Sequence, residues 1–231
     1  QDGTMKIDAY AAFAQATYAI QPNFRLTVGG RYSSEKRESN GAFTGIFVPV
    51  FPIDQHKKWN SFTPKAGLEF DLAEDVLAYA SVTRGFKSGT FNVGQNNPAI
   101  DPEKITAYEA GLKSRFLDRR IEVTGAVFYY DYKDLQVNKI IGIATLTTNA
   151  AAAKNKGLEL AMRAKVTGNL TLDANVTYLK ATFSEFESVN ALFPAAPAEN
   201  LKGNQLPGAS KYSGGVGLAY AFPLQNDASL T

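Results

Sequence analysis

Hydrophobic and polar residues alternate along much of this chain with a period of two. From Phe24 the even positions are mainly apolar and the odd positions polar, and the same alternation begins again at Phe62. Four further segments repeat it, beginning at Tyr108, Leu158, Leu170 and Tyr212. Such alternation is typical of a strand whose two faces meet different surroundings. The pattern predicts six strands, each with one apolar and one polar face.

Three more strands are predicted from weaker patterns. The opening segment, about Met5–Ile20, is rich in alanine, and the segment from Val76 has apolar residues at alternate positions. The segment from Ile121 to about Val137 has aromatic residues at both even and odd positions, so its apolar face stays undecided. The chain is thus predicted to be all-β, with nine full strands.

Short turns and long loops alternate between these strands. The tight polar turns fall about fifty residues apart, near Gln21–Asn23, Leu72–Asp75, Leu117–Arg120, Thr167–Asn169 and Pro223–Asn226. The longer connections are about Asn40–Lys58, Gly89–Lys104, Asn138–Asn155 and Ser188–Ser210. The third connection is expected to include extensions of its two strands, with residues 140–143 near the tip. Short turns at one end and long loops at the other are typical of an outer-membrane barrel.

Strand length separates a membrane barrel from a soluble β-sandwich, which also alternates. Sandwich strands average five or six residues, whereas these run to about ten or more, enough to cross a bilayer when tilted. The sequence has no apolar run long enough for a transmembrane helix. We therefore predict an antiparallel transmembrane β-barrel. Because closed bacterial barrels have an even number of strands, nine strands indicate part of a larger barrel.

The composition offers little material for catalysis. His56 is the only histidine, there is no cysteine, and the net charge is +2. Histidine-based catalytic pairs, thiol chemistry and histidine-rich metal sites are therefore excluded, and the charge does not favour nucleic acid. We expect no enzyme activity, no cofactor and no metal site. The carboxylates are expected to form ion pairs inside the barrel with Lys65, Lys113 and Arg163 rather than an acid/base couple. These carboxylates are Glu69, Glu109, Glu159 and Asp173.

Two groups of residues are candidates for ligand binding. Gly85 and Gly89 favour a bulge or bend at the outer end of a strand, which would put Arg84 and Lys87 at the mouth, where cations attract anionic ligands. The alternative is that these cations pair with lumen acids such as Glu109 or with lipopolysaccharide. The second group is a cluster of loop aromatics that either stack on a ligand or pack within the loop, namely Phe43, Phe47, Phe51 and Trp59.

Four blocks in the same order resemble the barrel of TonB-dependent outer-membrane receptors. They are TRGFKSGTFN at 83–92, YEAGLKSRF at 108–116, NKGLELAMRAKV at 155–166 and LPGASKYSGGVGLAYAF at 206–222. Each block is weak alone, but their order and spacing match the C-terminal half of such a barrel. The resemblance covers essentially residues 1–231, as one partial barrel domain from which the plug domain is absent.

This resemblance implies an energised importer in the Gram-negative outer membrane. Family members have a barrel of about 22 strands occluded by an N-terminal plug, and an external ligand binds to the outer loops and plug. The implied partners are a ferric siderophore or another bulky nutrient, outer-membrane lipids and lipopolysaccharide, and TonB through the missing plug region. The rivals are an outer-membrane barrel enzyme or porin, and a soluble β-rich binding module.

Overall fold

The computed structural model describes residues 2–45, 48–141, 144–189, 193, 196–223 and 229–230. The described residues form twelve strands, which are β1 (Asp2–Gln21), β2 (Phe24–Gly45), β3 (Val48–Ala73), β4 (Val76–Lys87), β5 (Glu103–Phe116), β6 (Ile121–Ile141), β7 (Ala144–Lys165), β8 (Leu170–Ser188), β9 (Glu199–Asn200), β10 (Tyr212–Tyr220), β11 (Phe222–Pro223) and β12 (Ser229–Leu230). Within the same residues, no helix has the length and apolar character needed to cross a membrane.

Nine long strands make one antiparallel sheet in which neighbours in sequence are neighbours in space. The order is β1-β2-β3-β4-β5-β6-β7-β8-β10, while the two-residue β9 pairs with the C-terminal end of β8. In the described part of the chain this sheet is open, with β1 and β10 at its edges. The predicted all-β, antiparallel, partial barrel with nine full strands is confirmed.

Tight turns join the strands at one end of the sheet. Four of the five predicted turns are confirmed; they lie between β1 and β2, β3 and β4, β5 and β6, and β7 and β8. At the third, Leu117, Asp118 and Arg119 all have φ between 51° and 62°, a left-handed conformation that is uncommon outside glycine. The fifth predicted turn, near Pro223–Asn226, includes residues 224–226, which lie outside the described residues.

One of the four predicted loops was wrong as a loop, and another consists mostly of the strand extensions that were expected there. The described residues of Asn40–Lys58 belong to β2 and β3, which pair without a shift as far as Phe43 and Phe51 and again at Gly45 and Val48. Most of Asn138–Asn155 belongs to β6 and β7. The strands continue because cross-strand hydrogen bonds satisfy the backbone groups beyond the membrane as well as within it. The expected strand extensions of the third connection are confirmed, although residues 142–143 at its tip lie outside the described residues. Irregular structure does occupy most of 88–102 and 201–211.

The register assigns every side chain to one of two faces, because directly paired residues of an antiparallel sheet share a face. One face, called here the outer face, is a continuous band of exposed apolar side chains, including Val28 at 49%, Leu68 at 44% and Leu218 at 71% exposure. An apolar surface of this extent marks contact with a membrane or another protein. Along the length of this band, the charged residues of the same strands lie on the other face, called the inner face.

Pairing between β5 and β6 settles the ambiguous strand. Tyr108 faces Tyr129, and Glu109 faces Phe128. The odd positions of β6 therefore belong to the outer face, and its even positions belong to the inner face. Phe128 and Tyr130 stack there with ring centroids 4.8 Å apart, so this part of the inner face is aromatic.

Candidate ligand-binding mouth

The segment between β4 and β5 folds against the inner face, at the end of the sheet opposite the tight turns. This segment, residues 88–102, is called here the inner loop. Thr90 and Ile100 exchange two backbone hydrogen bonds of 3.0 and 2.8 Å, which close the loop on itself. The inner loop then lies between the long β2–β3 and β6–β7 hairpins, and these elements together form the candidate mouth.

A small apolar core fixes the inner loop to β3. Phe91 packs on Trp59 with ring centroids 5.8 Å apart, and both side chains are only 6% exposed. Ile53 and Ile100 are buried at 3% and 4%. Few other described residues of this sheet are buried to that degree. The mouth therefore contains a compact hydrophobic cluster that the outer face lacks. Nothing in the local sequence pattern of Ile53, Phe91 or Ile100 indicated this cluster.

Position 89 requires glycine because there is no room for a side chain, and not because of its backbone conformation. A Cβ placed on Gly89 would lie 2.3 Å from the Ile100 carbonyl oxygen and 2.3 Å from the Trp59 ring. Its φ is not in the left-handed region, and the β4–β5 register runs without a shift through Gly85. The predicted bulge is therefore wrong, and the absent side chain at Gly89 lets the inner loop approach Trp59.

Polar contacts attach the inner loop to both flanking hairpins. Toward β3, Gln55 Nε2 donates to the Asn97 carbonyl at 2.8 Å and Lys57 Nζ lies 2.9 Å from Asp101 Oδ1. Toward β7, Asn92 and Thr147 exchange two hydrogen bonds of 3.0 and 2.9 Å. The Lys57 ammonium lowers the pKa of the Asp101 carboxyl below its ordinary value. The loop thus bridges the β2–β3 and β6–β7 hairpins, which β4 and β5 separate in the sheet.

The two predicted mouth cations lie on opposite faces of β4. Arg84 pairs in register with Thr106 and Lys87 with Glu103, and positions three apart in a strand point to opposite sides. Lys87 belongs to the inner face beside the inner loop, whereas Arg84 belongs to the outer face. Pairing of Arg84 with Glu109 is wrong, because Glu109 is on the inner face. Ligand binding by Lys87 remains a prediction.

The predicted aromatic cluster is only partly described. Phe43 and Phe51 face each other in the backbone register near the tip of the β2–β3 hairpin. Their side chains, and Phe47 as a whole, lie outside the described residues. Trp59 lies in the middle of β3, where it packs against Phe91 and lies 5.4 Å below the Lys57 ammonium. For Trp59 the loop-packing interpretation holds.

Charges on the inner face compensate one another. Arg25 contacts both Glu69 at 3.0 Å and Asp71 at 2.5 Å. Arg163 lies 2.7 Å from Asp173, which confirms that predicted pair.

Glu109 departs from its predicted pairing with lysine. It accepts a hydrogen bond from the Tyr79 hydroxyl at 2.8 Å, and Lys113 lies over the Tyr79 ring. Within the described residues, no group of three or more histidine, cysteine, aspartate or glutamate side chains is placed to hold a metal ion. The side chains around the inner loop are thus polar and partly aromatic.

Comparison with known proteins places this architecture. Residues 1–230 match the family model "TonB dependent receptor-like, beta-barrel". The chain is 24% identical over 189 residues to the ferric-pyoverdine BN7/BN8 receptor of Pseudomonas putida, covering 81% of this chain and 22% of that protein. It is 22% identical over 223 residues to the probable TonB-dependent siderophore receptor PiuA of Acinetobacter baumannii, covering 93% and 29%.

A solved structure agrees with this match. The ferric yersiniabactin uptake receptor FyuA of Yersinia pestis superposes with a TM-score of 0.79 at 19% identity, over 96% of this chain and 33% of that one. The chain spans about a fifth to a third of the length of these relatives. The matching family is one of receptors rather than enzymes. The chain therefore belongs to the TonB-dependent receptor family, as part of the β-barrel that these proteins form in the outer membrane of Gram-negative bacteria.

Proposed function

We propose that this barrel segment belongs to a receptor that takes up a ferric siderophore across the outer membrane. The main support is the family match over residues 1–230, together with relatives that are themselves named as ferric-siderophore receptors. Uptake of this kind is binding followed by gated passage, with no bond-making step. TonB supplies the energy by acting on the plug region of the full-length receptor.

Cations beside the inner loop support this proposal for an anionic ligand. Lys57 and Lys87 lie on the inner face beside the inner loop, and Arg37 lies opposite Lys57 in the register of β2 and β3. Cations grouped at a pore mouth attract anionic chelates. Lys57 and Arg37 already contact Asp101 and Glu35, so Lys87 is proposed to contribute most of this attraction. The hairpin tip carrying Phe43, Phe47 and Phe51 is proposed to add apolar contacts to the chelate.

Trp59 has a different proposed role. Because it is 6% exposed beneath Phe91, it acts by holding the inner loop in place and not by stacking on a ligand. On the membrane side, the outer face is proposed to contact outer-membrane lipids and lipopolysaccharide. These contacts locate the barrel, while the mouth determines what is imported.

Uptake of radioactive iron tests the proposal directly. A strain lacking the full-length parent receptor is supplied with iron bound to catecholate, hydroxamate or pyoverdine-type siderophores, each in cells with and without TonB. At least one siderophore is expected to require both the receptor and TonB. Normal uptake of every siderophore by the deletion strain would contradict the assignment.

A matched pair of variants tests the mouth. Lys87→Gln is expected to raise the siderophore concentration that gives half-maximal uptake, because a cation is removed from the inner face. Arg84→Gln removes the same charge three residues away on the outer face and is expected to leave that concentration unchanged. Equal effects of the two variants would assign the Lys87 effect to general surface charge.

A further inference from the structure

Lys87 stands opposite an acid in the strand register but forms no ion pair with it. The last pair of the β4–β5 ladder joins Lys87 to Glu103, and directly paired residues share one face of a sheet. The side chain of Lys87 is exposed, and no carboxylate of the described residues lies within 4.0 Å of its ammonium. The acid opposite Lys87 thus leaves this cation without a counter-ion.

The carboxylate of Glu103 is bound by β6 instead. Its Oε2 accepts a hydrogen bond of 3.1 Å from the backbone N–H of Gln136. The β5–β6 ladder ends at Lys104 and Lys133, so the N–H groups farther along this edge of β6 have no backbone partner on β5. A partly buried backbone N–H then needs another acceptor, and the Glu103 carboxylate provides it.

A bulge in β6 immediately precedes Gln136. The β6–β7 register shifts twice, between Tyr132 and Leu135 and again between Leu135 and Gln136. Asp134, inside the bulge, has a φ of 56°, a left-handed conformation that aspartate adopts more readily than most residues. Bulges change the direction of local groups and interrupt strand pairing. The bulge therefore presents the Gln136 N–H to the Glu103 carboxylate.

The side chain of Gln136 holds both stems of the inner loop. Its Nε2 donates to the Ser88 carbonyl at 2.9 Å and to the Asp101 carbonyl at 3.1 Å. Ser88 directly follows Lys87, and Asp101 lies two residues before Glu103. Gln136 therefore fixes the backbone on both sides of the Lys87–Glu103 pair, as well as the Glu103 carboxylate itself.

The two possible partners of Glu103 differ in how strongly they hold its carboxylate. An exposed lysine–carboxylate pair contributes little to stability, because water solvates both charges well. A hydrogen bond from a partly buried N–H to a carboxylate contributes more, and its loss would leave the N–H without a partner. The carboxylate is therefore expected to stay on Gln136.

We propose that Gln136 is a positioning residue that holds the Glu103 carboxylate away from Lys87 and thereby keeps this cation available to an anionic ligand. Lys57, on the same face, shows the alternative arrangement, since its ammonium lies 2.9 Å from Asp101. The inference rests on the proposed function, in which Lys87 attracts an anionic chelate, and it names the residues that keep Lys87 unpaired.

Chemical labelling of the full-length parent receptor tests this inference without a known ligand. Trinitrobenzenesulfonate is an anionic reagent for amines, and mass spectrometry of the labelled peptides gives the reaction rate at each lysine. In wild type, Lys87 is expected to react faster than Lys57 by roughly two- to fivefold, the factor that an exposed ion pair contributes.

Three variants separate the backbone N–H of Gln136 from its side chain. Gln136→Pro removes the N–H beside a bulge, where proline is tolerated, and is expected to slow the labelling of Lys87 by roughly two- to fivefold, because Glu103 is released to pair with it. Adding Glu103→Gln to this variant is expected to restore the wild-type rate, since the amide carries no charge. Gln136→Ala is the matched control, because it removes the same side chain but keeps the N–H, and Lys87 is expected to react close to the wild-type rate.

Two labelling results would overturn the proposal. The first is an equal rate at Lys87 in wild type and Gln136→Pro. The second is a slow rate that persists after Glu103→Gln is added, which would assign the effect to distortion of the inner loop.

A double-mutant cycle covers the case in which Gln136→Pro does not fold. Lys87→Gln and Glu103→Gln, alone and combined, are melted in detergent in the otherwise wild-type receptor. Because the two side chains are unpaired, their shifts in melting temperature are expected to add. Shifts that do not add would show that Lys87 and Glu103 already interact in the wild type, contrary to the proposal.

Siderophore uptake is measured separately in the same strains. Gln136→Pro is expected to raise the concentration of an anionic siderophore that gives half-maximal uptake, and Glu103→Gln is expected to lower it again. A receptor that imports no siderophore but shows the expected labelling pattern would contradict only the proposed function.

Discussion

The two faces of the sheet differ in which charges stand opposite each other across neighbouring strands. On the inner face, Arg25 is neutralised by Glu69 and Asp71, and Arg163 is neutralised by Asp173. On the outer face, lysines stand opposite lysines at the edge of the apolar band. Both sets belong to the same strands, so the difference is not one of secondary structure. It follows from the pairing register, because acids stand opposite cations on the inner face whereas lysines stand opposite lysines on the outer face.

The largest expected effect concerns the buried apolar cluster around Trp59, which lies on the otherwise polar inner face. Trp59→Ala removes a nearly buried ring from its contact with Phe91. Removal of such a side chain costs about 3–5 kcal/mol, here chiefly in the docking of the inner loop. Limited proteolysis within 88–102 of the full-length receptor is expected to become much faster, while Trp59→Phe is expected to stay close to wild type. Equal cleavage of wild type and Trp59→Ala would show that the polar contacts alone hold the loop.

The next prediction compares neighbouring positions on the two faces of β7. Leu160→Arg places a charge in the apolar band and is expected to lower the free energy of unfolding in lipid vesicles by roughly 2–4 kcal/mol. Ala161→Arg places the same group on the inner face, beside a cavity that Arg163 and Asp173 also line, and is expected to cost much less. Urea unfolding in vesicles measures both. Equal costs would contradict the assignment of the two faces.

A smaller effect of opposite sign is expected on the outer face, where Lys156 stands opposite Lys180. Lys180→Gln removes the repulsion between Lys156 and Lys180 and is expected to raise the free energy of unfolding in lipopolysaccharide-free detergent by about 0.2–1 kcal/mol. Arg163→Gln on the inner face leaves Asp173 without its partner and is expected to lower stability. Both values come from urea titrations. Destabilisation by Lys180→Gln would show that this lysine is already neutralised within the protein.

The smallest expected effect concerns pH and the inner loop. Lys57 lowers the pKa of Asp101 in the folded protein, so the contact stabilises the loop above the unfolded value of about 3.9. That contribution is lost as the pH falls through the lower, folded pKa. A cysteine introduced by Asn96→Cys, in a chain that has none of its own, is expected to react faster with a pH-insensitive thiol reagent at acid pH. Adding Asp101→Asn is expected to abolish this change; a change that persists would assign the acid sensitivity to another group.

Some features of the mouth were within reach of the sequence and others were not. Arg84 and Lys87 are three residues apart, so strand periodicity alone separates them onto opposite faces. The contact between Trp59 and Phe91 joins positions 32 residues apart, and no local pattern predicts it. The extended β2–β3 hairpin was also missed, because residues 40–58 have no regular apolar alternation and their pairing depends on the partner strand.

The sequence alone determined the all-β fold, the number of long strands, most of the turns and the resemblance to TonB-dependent receptors. These properties follow from local rules, since alternation specifies a two-faced strand and short polar segments specify turns. Tertiary structure decided which face of β6 belongs to the apolar band, how the inner loop docks on Trp59, and that Lys104 stands opposite Lys133. The physical reason is that register, loop docking and charge opposition are relations between distant segments, and cross-strand pairing fixes them only when the sheet assembles.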